Sequence, residues 1–309
     1  MATISKASRS YRGLRTVGAM TFALHLLAYP RAEAQKKIKP EELVRLHLES
    51  IGTEEARISR KSAIGRGKCN LRVLVGKEAI LPGDASFWTQ GKSYRSSMRF
   101  PVSNYPAEDI SFDGKKTYVG LLNPGQRSRI GQFLYDYDAI LKEGLIGGVL
   151  SAGWPLLEFK SQKLKLKYGG LKKVYDRDGH ELAYQMRKGN YDLRVSLYFD
   201  VDACRHLGTV YEMRIPDAPT GAATPSAAAA DSPRQVATRY VLEERFGDFR
   251  AVGGLTLPFH WQVRLTTEGP AGDLSFVAAS RGLSIIEWDV TFETISLNDA
   301  IDPKLFILY

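Results

Sequence analysis

Acidic and imidazole side chains are the residues of this chain that could do acid–base chemistry. Three pairs of aspartates are spaced two residues apart, and one pair, Asp200 and Asp202, is followed closely by His206. A carboxylate near an imidazole is the arrangement that a hydrolase uses for proton transfer. Aspartates beside turns, however, more commonly accept backbone hydrogen bonds. A secreted hydrolase that uses Asp200 or Asp202 with His206 is therefore the least favoured of the functions that we consider.

Metal and nucleophile motifs are missing from the sequence. None of the five histidines pairs with another at the spacing of metal ligands. His180-Glu181 begins like a zinc-protease motif, but Tyr184 stands where the second histidine is needed. We predict no enzyme activity, no cofactor and no metal site. Cys69 and Cys204 could form a disulfide in an exported protein, and two buried free thiols are the default expectation.

The N-terminus has the features of an export signal. Basic residues from Lys6 to Arg15 precede a short apolar run, Val17–Tyr29, and Ala32-Glu33-Ala34 fits a cleavage site. The run is shorter than the roughly 20 residues that span a bilayer. We expect residues 1–34 to be a cleaved signal peptide and the protein to be periplasmic.

The charge pattern argues against a nucleic-acid partner. The formal net charge is +9, and five basic residues and one acidic residue lie in positions 1–34, so the remaining chain carries +5. Its lysines and arginines alternate along segments such as KLKLKY and are not interleaved with stacking aromatics. That pattern indicates solvated strand faces. We predict no nucleic-acid partner and a monomer.

The hydrophobic pattern predicts one helix followed by a β meander. A helix is expected over KPEELVRLHLESIG, with Pro40 in its first turn and Gly52 at its end. Downstream the period changes to two, which predicts about ten antiparallel strands with one polar and one apolar face. The predicted strands are SYRSSMRF, ISF, YVGL, KLKLKY, LAYQMR, YDLRVSLYF, TVYEMRI, ATRYVLEERF, FHWQVRL and IIEWDVTFETI.

We expect an α+β fold in which a curved antiparallel β-sheet, an unclosed half-barrel, has helices covering its concave face. Residues 35–309 should form a single domain. The stretch 216–235 is rich in Ala, Pro, Ser and Thr, and we predict a disordered loop between two paired strands.

An uncharged segment raises the question of what it covers. Apolar residues from Ile130 to Leu145 recur every three or four positions, and no charged residue occurs from Gly144 to Leu157. We predict a helix from about Ser128 to Leu157, loosened by glycines, which is too short to cross a bilayer. It is either a core helix or a movable flap over an inner face larger than the chain itself can fill.

Two stretches carry a resemblance to a known family. They are FGDFRAVGGLTLPFHWQV, with Asp248-Phe249-Arg250, Gly254, Leu257 and Pro258, and ISLNDAIDPKLF, with Asn298, Asp302, Pro303 and Phe306. Together with the order of elements, they make the chain similar to the LolA-like periplasmic carriers that sort outer-membrane lipoproteins. The chain is longer than the sorting carrier and has the additional loop at 216–235.

The resemblance implies a carrier for hydrophobic cargo, either lipid or lipoprotein acyl chains, and a membrane-bound donor or acceptor in outer-membrane biogenesis. The family has an arginine in its cavity, for which Arg57, Arg72 and Arg95 are the candidates. An envelope sensor or interaction domain with a filled core is the alternative. The lipid-binding residues that we predict are Phe133, Leu134, Ile140, Leu141, Leu145, Ile146, Val149, Leu150, Trp154, Leu157, Trp261, Val263, Trp288, Val290 and Phe292.

Overall fold

The computed structural model describes residues 38–75, 79–187, 193–215, 238–269 and 282–308. The predicted signal peptide and the predicted disordered loop at 216–235 lie outside these residues. Within these ranges, no helix is long and apolar enough to cross a membrane.

Four α-helices and twelve β-strands make up the described residues. The helices are α1 (Pro40–Ile51), α2 (Glu54–Ser59), α3 (Arg129–Asp136) and α4 (Ala139–Lys142). The first five strands are β1 (Ser62–Val73), β2 (Ala79–Gln90), β3 (Ser93–Arg99), β4 (Ala107–Phe112) and β5 (Thr117–Val119). The others are β6 (Lys165–Val174), β7 (Arg177–Gln185), β8 (Arg194–Asp200), β9 (His206–Ile215), β10 (Thr238–Val252), β11 (Leu255–Glu268) and β12 (Leu283–Leu297). Three 3₁₀ turns complete them, at Gly148–Leu150, Pro155–Glu158 and Pro303–Phe306.

All twelve strands belong to one antiparallel sheet that is not closed. Their order is β5-β4-β3-β2-β1-β12-β11-β10-β9-β8-β7-β6, so β12 pairs with β1 and the two edges are β5 and β6. This confirms the predicted unclosed half-barrel. Because the chain leaves one edge at β5 and returns at the other edge at β6, the connection between them must pass across the whole sheet.

Alternating apolar residues give the sheet one buried face, which we call the inner face. In β11 the side chains of Leu257, Phe259, Trp261, Val263 and Leu265 are buried, while the residues that alternate with them from His260 onward are partly exposed. The same alternation in β12 buries a second row. Successive residues of a strand point to opposite faces, so a period of two produces one apolar surface per sheet. The predicted pairing of the strands flanking the 216–235 loop is confirmed, because β9 pairs with β10.

Strands β1 and β2 were not predicted, and their glycines and proline explain why. A Cβ atom on Gly67 would lie 2.0 Å from the carbonyl oxygen of Thr291 on β12, so the strand needs glycine at its bulge. Pro82 lies in β2 before its pairing with β3 begins at Asp84, where no partner needs its amide. These residues normally indicate turns, and they conceal twelve-residue strands.

Residues 128–159, which we call the covering segment, do not form the predicted single helix. The segment contains α3, α4 and two 3₁₀ turns. Gly144 and Gly148 have φ angles of +73° and +48°, which break any helix, and a Cβ on Gly144 would lie 2.1 Å from the carbonyl oxygen of Gly153. After Lys142 the chain therefore folds back on itself as a compact irregular loop.

Helix α1 agrees with its prediction, and the two cysteines are free thiols. The helix spans Pro40–Ile51 and ends at Gly52. Cys69 in β1 and Cys204 before β9 are both buried and unpaired with each other, which was the default expectation. Burial raises the pKa of both thiols and keeps them protonated and unreactive.

Candidate functional site

The covering segment and the inner face meet through the apolar residues that the sequence singled out. From the segment come Phe133, Leu134, Ile140, Leu141, Leu145, Ile146, Val149, Leu150 and Trp154, all at most 4% exposed, with Leu157 partly buried. From the sheet come Trp261, Val263, Trp288, Val290 and Phe292, also at most 4% exposed. The structure thus brings every predicted cargo-binding residue into one hydrophobic cluster.

The interior is filled in this conformation. The cavity between the segment and the sheet has a volume of about 20 Å³, with Ile130, Leu134 and Ile146 on one side and Met98, Trp261 and Trp288 on the other. That volume holds one water molecule at most. The expectation that the inner face is larger than the chain can fill is therefore wrong, because the covering segment occupies the space.

Arg60 fastens the middle of the covering segment to the sheet domain. Its guanidinium donates to the carbonyl oxygens of Val149 at 2.7 Å and Ser151 at 2.9 Å, and the residue is only 7% exposed. Burial lowers the pKa of Arg60 to about 10. It forms no ion pair with a carboxylate in the described ranges. A buried guanidinium without a counter-ion is costly, and its two hydrogen bonds to backbone carbonyls offset that cost.

The three arginines proposed from the sequence do not enter the interior. Arg57 donates to carbonyl oxygens of Leu48 and Gly52 at the end of α1. Arg72 pairs with Glu287 and Asp289, which alternate with the inner-face residues of β12. Arg95 bonds to Asp109 and to the carbonyl oxygen of Leu305. Among the residues described here, the buried arginine is Arg60, which lies in the short connection between α2 and β1, where the sequence carries no periodic signal.

Glu244 of β10 forms a second anchor under the covering segment. It is fully buried and accepts hydrogen bonds from the Gly147 amide at 2.8 Å, the Trp261 indole at 2.9 Å and the Tyr211 hydroxyl at 2.9 Å. Burial raises the pKa of this carboxyl to about 7, against the opposing effect of the three donors. The carboxyl of Glu244 therefore changes its charge near neutral pH, and the free-energy cost of burying it changes with that charge.

Glu244 should make the unfolding free energy depend on pH. Because its pKa is raised from 4.5 to about 7, its contribution to stability is fully present below pH 4.5 and is lost as the pH rises through 7. A shift of this size corresponds to roughly 3 kcal/mol. We expect Glu244→Gln, which keeps the shape and the acceptor oxygen, to remove this part of the decline between pH 5 and pH 8, measured by urea unfolding.

The matched control is Glu243→Gln. Glu243 is the sequence neighbour on the opposite face of β10 and is partly exposed, near Arg245 at 3.9 Å. That variant should retain the pH dependence of the native protein. Equal pH slopes for the native protein and Glu244→Gln would show that the buried carboxyl is not the titrating group.

Two further carboxylates form hydrogen bonds between the covering segment and the sheet: Glu108 lies in the sheet, and Glu143 lies in the segment. Glu108 accepts from Tyr105 and, at 2.7 Å, from Ser128, whose oxygen in turn caps α3 by accepting from Gly131. Burial raises the pKa of Glu108 to about 7. Glu143 accepts from the Tyr184 hydroxyl at 2.7 Å. The segment is therefore held by side chains of the sheet that bond to it at a few polar points.

Trp154 packs in a cluster of neutral imidazoles. Its indole N–H donates to Nε2 of His47 at 3.3 Å, and Nδ1 of His47 lies 3.1 Å from the carbonyl oxygen of Cys204. This arrangement requires the proton on Nδ1, and burial lowers the pKa of His47 to about 4. His206 stacks on Trp154 with ring centroids 4.8 Å apart, and burial keeps its pKa well below 6.5. Both histidines serve as uncharged packing groups.

The hydrolase hypothesis finds no support in the geometry. Asp200 accepts the backbone amides of Asp202, Ala203 and Arg205 and so shapes the turn before β9. Asp202 is exposed in that turn, whereas His206 is 1% exposed inside the protein. These groups share no wet cleft. Among the described residues, no three His, Cys, Asp or Glu side chains are grouped as metal ligands.

A larger pocket of about 290 Å³ opens at the surface beside the covering segment. Lys92, Lys142, Glu143 and Arg187 line it, and Lys142 is already paired with Asp138. Its walls are charged, so it differs in chemistry from the apolar interior.

The two family-like stretches have structural roles. Asp302 caps the last 3₁₀ turn by accepting from the Lys304 amide at 2.9 Å, and Phe306 is buried. Asn298, at a φ of +63°, accepts from the Lys61 amide at 2.7 Å. Asp248 pairs with Arg250 at the exposed end of β10. These residues cap a turn, join chain segments and pair at a strand end, so their roles are structural.

Comparison with known proteins gives matches at the level of solved structures. No family model matches the chain, and no curated protein does so. A LolA superfamily protein of Nitrosomonas europaea is 14% identical, with 88% of this chain and 98% of that chain covered and a TM-score of 0.41. An outer-membrane lipoprotein-sorting protein domain of Vibrio parahaemolyticus is 8% identical, with 85% and 95% covered and a TM-score of 0.40. A DUF1329 family protein of Desulfovibrio piger is 11% identical, with 86% and 96% covered and a TM-score of 0.42.

At such identities and TM-scores, what those proteins bind is not transferred to this chain. One of these solved structures is of a LolA superfamily protein, and another is of an outer-membrane lipoprotein-sorting protein domain.

Proposed function

We propose that this protein binds hydrophobic cargo, namely lipid or lipoprotein acyl chains, between the inner face of its sheet and the covering segment. In the filled state described above the segment occupies the binding space, so binding requires the segment to leave it. The acyl chains would then contact the apolar residues of the sheet from which the segment has withdrawn.

The observation that carries this proposal is the way in which the covering segment is held. Its backbone between positions 147 and 152 is bonded to side chains of the sheet domain, namely Arg60, Glu244 and Thr89, the last accepting from the Ala152 amide at 2.9 Å. Backbone bonds inside the segment, such as that from the Leu150 amide to the carbonyl oxygen of Gly147, fix its local shape, so these side chains supply hydrogen bonds that join it to the rest of the protein. A compact segment of this kind can leave as a unit when those bonds break and its apolar contacts are replaced by cargo.

The free energy gained by burying the covering segment is similar in size to the free energy gained by burying acyl cargo in its place. Burying a large apolar side chain contributes about 1.5–3 kcal/mol, so exposing the nine buried residues of the segment named above costs on the order of 20 kcal/mol. Two acyl chains of roughly 15 methylenes each, at about 0.8 kcal/mol per methylene, recover a similar amount. Such a balance suits a carrier, because cargo can be both taken up and released.

Export and delivery complete the proposal. Residues 1–34 would direct the chain to the periplasm, where it would act as a monomer between a membrane-bound donor and acceptor. N-terminal sequencing of protein isolated from the cell envelope should begin at Gln35.

The test is the binding of a fluorescent fatty acid to the purified protein, combined with extraction of lipid that copurifies from the envelope. We expect saturable binding that unlabelled fatty acid reverses. A folded, monodisperse protein that neither carries lipid nor binds the probe would contradict the proposal.

A second candidate is supported by the filled interior itself. A domain in which the cavity beneath the covering segment measures only about 20 Å³ can act as an envelope sensor or interaction module that recognises a protein through its surface. The same binding assay separates the two, since only the carrier exchanges its covering segment for an acyl chain.

A further inference from the structure

Strand β6, at one edge of the sheet, lies in a segment with an unusual concentration of positive charge. Residues 159–175 contain six lysines and no carboxylate. This charge of +6 exceeds the +5 that residues 35–309 carry as a whole, so the positive excess of that part of the chain is concentrated around one strand. The six residues, which we call the basic edge, are all exposed: Lys160, Lys163, Lys165, Lys167, Lys172 and Lys173.

The lysines of the basic edge have no partner of opposite charge. Leu166 packs against the hydrophobic core, so Lys165 and Lys167 on either side of it point to the opposite, outer face of the sheet. On β7 they lie across from Gln185 and Ala183, which are uncharged. None of the six lysines forms an ion pair with a carboxylate of the described residues. Their charge is therefore available to a partner.

The shape of β6 favours a charged surface over an added peptide strand as that partner. In the described sheet β6 pairs only with β7, which leaves its other side open. A bulge between Tyr168 and Gly170 interrupts its ladder, and bulges and lysines are both devices that keep an edge strand from pairing with another strand. A surface that contacts only the lysine ammonium groups does not meet this interruption. An anionic phospholipid bilayer is such a surface.

The basic edge lies next to the covering segment. Only residues 160–164 separate the end of that segment from the start of β6. Gln162, in this connection, lines the surface pocket together with Gly144 and Gly153 of the segment. A bilayer bound at β6 would thus lie close to the element that has to move when cargo binds.

We infer that the basic edge docks the protein on an anionic phospholipid bilayer. The lysine ammonium groups bind lipid phosphates, and each lysine near the surface raises the affinity about fivefold. This inference goes beyond the proposed function, because it concerns a surface that the protein binds and holds whatever the interior contains.

The experiment is cosedimentation of the purified native protein with lipid vesicles. One set of vesicles is pure phosphatidylcholine, and the other contains about 30% phosphatidylglycerol as the anionic lipid. In roughly 0.1 M salt we expect the protein to sediment with the anionic vesicles only. Raising the salt to about 1 M, where the Debye length falls to about 3 Å, should release it.

A double variant locates the contact. Lys165→Gln together with Lys167→Gln should lower the partition coefficient for the anionic vesicles about 30-fold. The matched control is Lys115→Gln together with Lys116→Gln, which changes the net charge equally at two exposed lysines near the opposite edge of the sheet, in the turn between β4 and β5. The control should bind as the native protein does.

Three results would overturn the inference. If the native protein does not bind the anionic vesicles, or binds both kinds equally, the lysines serve only to keep the edge strand from pairing. If the two double variants weaken binding equally, the overall charge accounts for it. If poly-L-glutamate binds and the vesicles do not, the partner is an acidic polypeptide. The vesicle comparison uses the native protein, so it does not depend on the folding of a variant, and the fatty-acid assay tests the proposed function separately.

Discussion

Replacing Arg60 with methionine should release the middle of the covering segment while the sheet stays folded. The change leaves the carbonyl oxygens of Val149 and Ser151 buried without a donor, each at a cost of about 1–3 kcal/mol. We therefore expect amide hydrogen exchange over residues 145–152 to become about 10²- to 10³-fold faster. The urea midpoint should fall as well, because the segment opens and the protein unfolds from the same folded state, which loses both hydrogen bonds. Exchange followed by mass spectrometry measures the first quantity.

Two comparisons make this result specific. Arg60→Lys keeps the charge but cannot bond to both carbonyls as a guanidinium fork does. Its exchange rate over residues 145–152 should therefore lie between those of the native protein and the methionine variant. Arg57→Met removes a guanidinium that also bonds to two carbonyls, at the end of α1, and should leave exchange over 145–152 at the native rate. Native exchange in Arg60→Met would show that the segment is core, held by its apolar contacts alone.

Truncating Trp154 to alanine should have the largest effect on stability. Its side chain is 1% exposed, stacks on His206 and bonds to His47, and removal of a buried tryptophan costs roughly 3–5 kcal/mol. In the carrier account the same change also makes room for cargo. We expect a lower urea midpoint together with faster association of the fluorescent fatty acid, because less of the interior must be vacated.

Trp88→Ala is the control of the same residue type. Trp88 is partly exposed on β2, where Arg95 lies 5.8 Å from its ring. Its loss should reduce stability far less and leave probe association at the native rate. If Trp154→Ala is destabilised without any gain in association rate, the tryptophan serves packing only.

Much of the sheet could be predicted from sequence, because period-two alternation in segments such as those of β11 and β12 leaves no other consistent structure. The pairing of β9 with β10 followed from the loop between them. Strands β1 and β2 were missed because Gly67 and Pro82 are residue types that usually indicate turns. The close approach of β12 explains the glycine in β1, and the part of β2 that has no β3 partner explains the proline.

The apolar part of the site was predictable and its polar part was not. Hydrophobic residues such as Ile146 and Trp288 identify themselves by type and spacing. Arg60, Glu108 and Glu244 lie among many charged residues, and nothing local distinguishes a carboxylate under the covering segment from one in solvent. The bent path after Lys142 also depends on contacts such as that of Gly144 with Gly153, far outside a local window.

The central claim is that cargo binds only when the covering segment moves, and a reversible disulfide tests it most directly. A Cβ atom on Gly153 would lie 3.3 Å from Cα of Lys92, close enough for Lys92→Cys with Gly153→Cys to bridge the segment to the β2–β3 turn. The native cysteines are buried and should not compete.

The measurement is fluorescent fatty-acid affinity of this double variant before and after reduction. We predict that the oxidised protein binds at least tenfold more weakly and that reduction restores native affinity. Equal affinity in the two redox states would contradict movement of the segment as the route of entry.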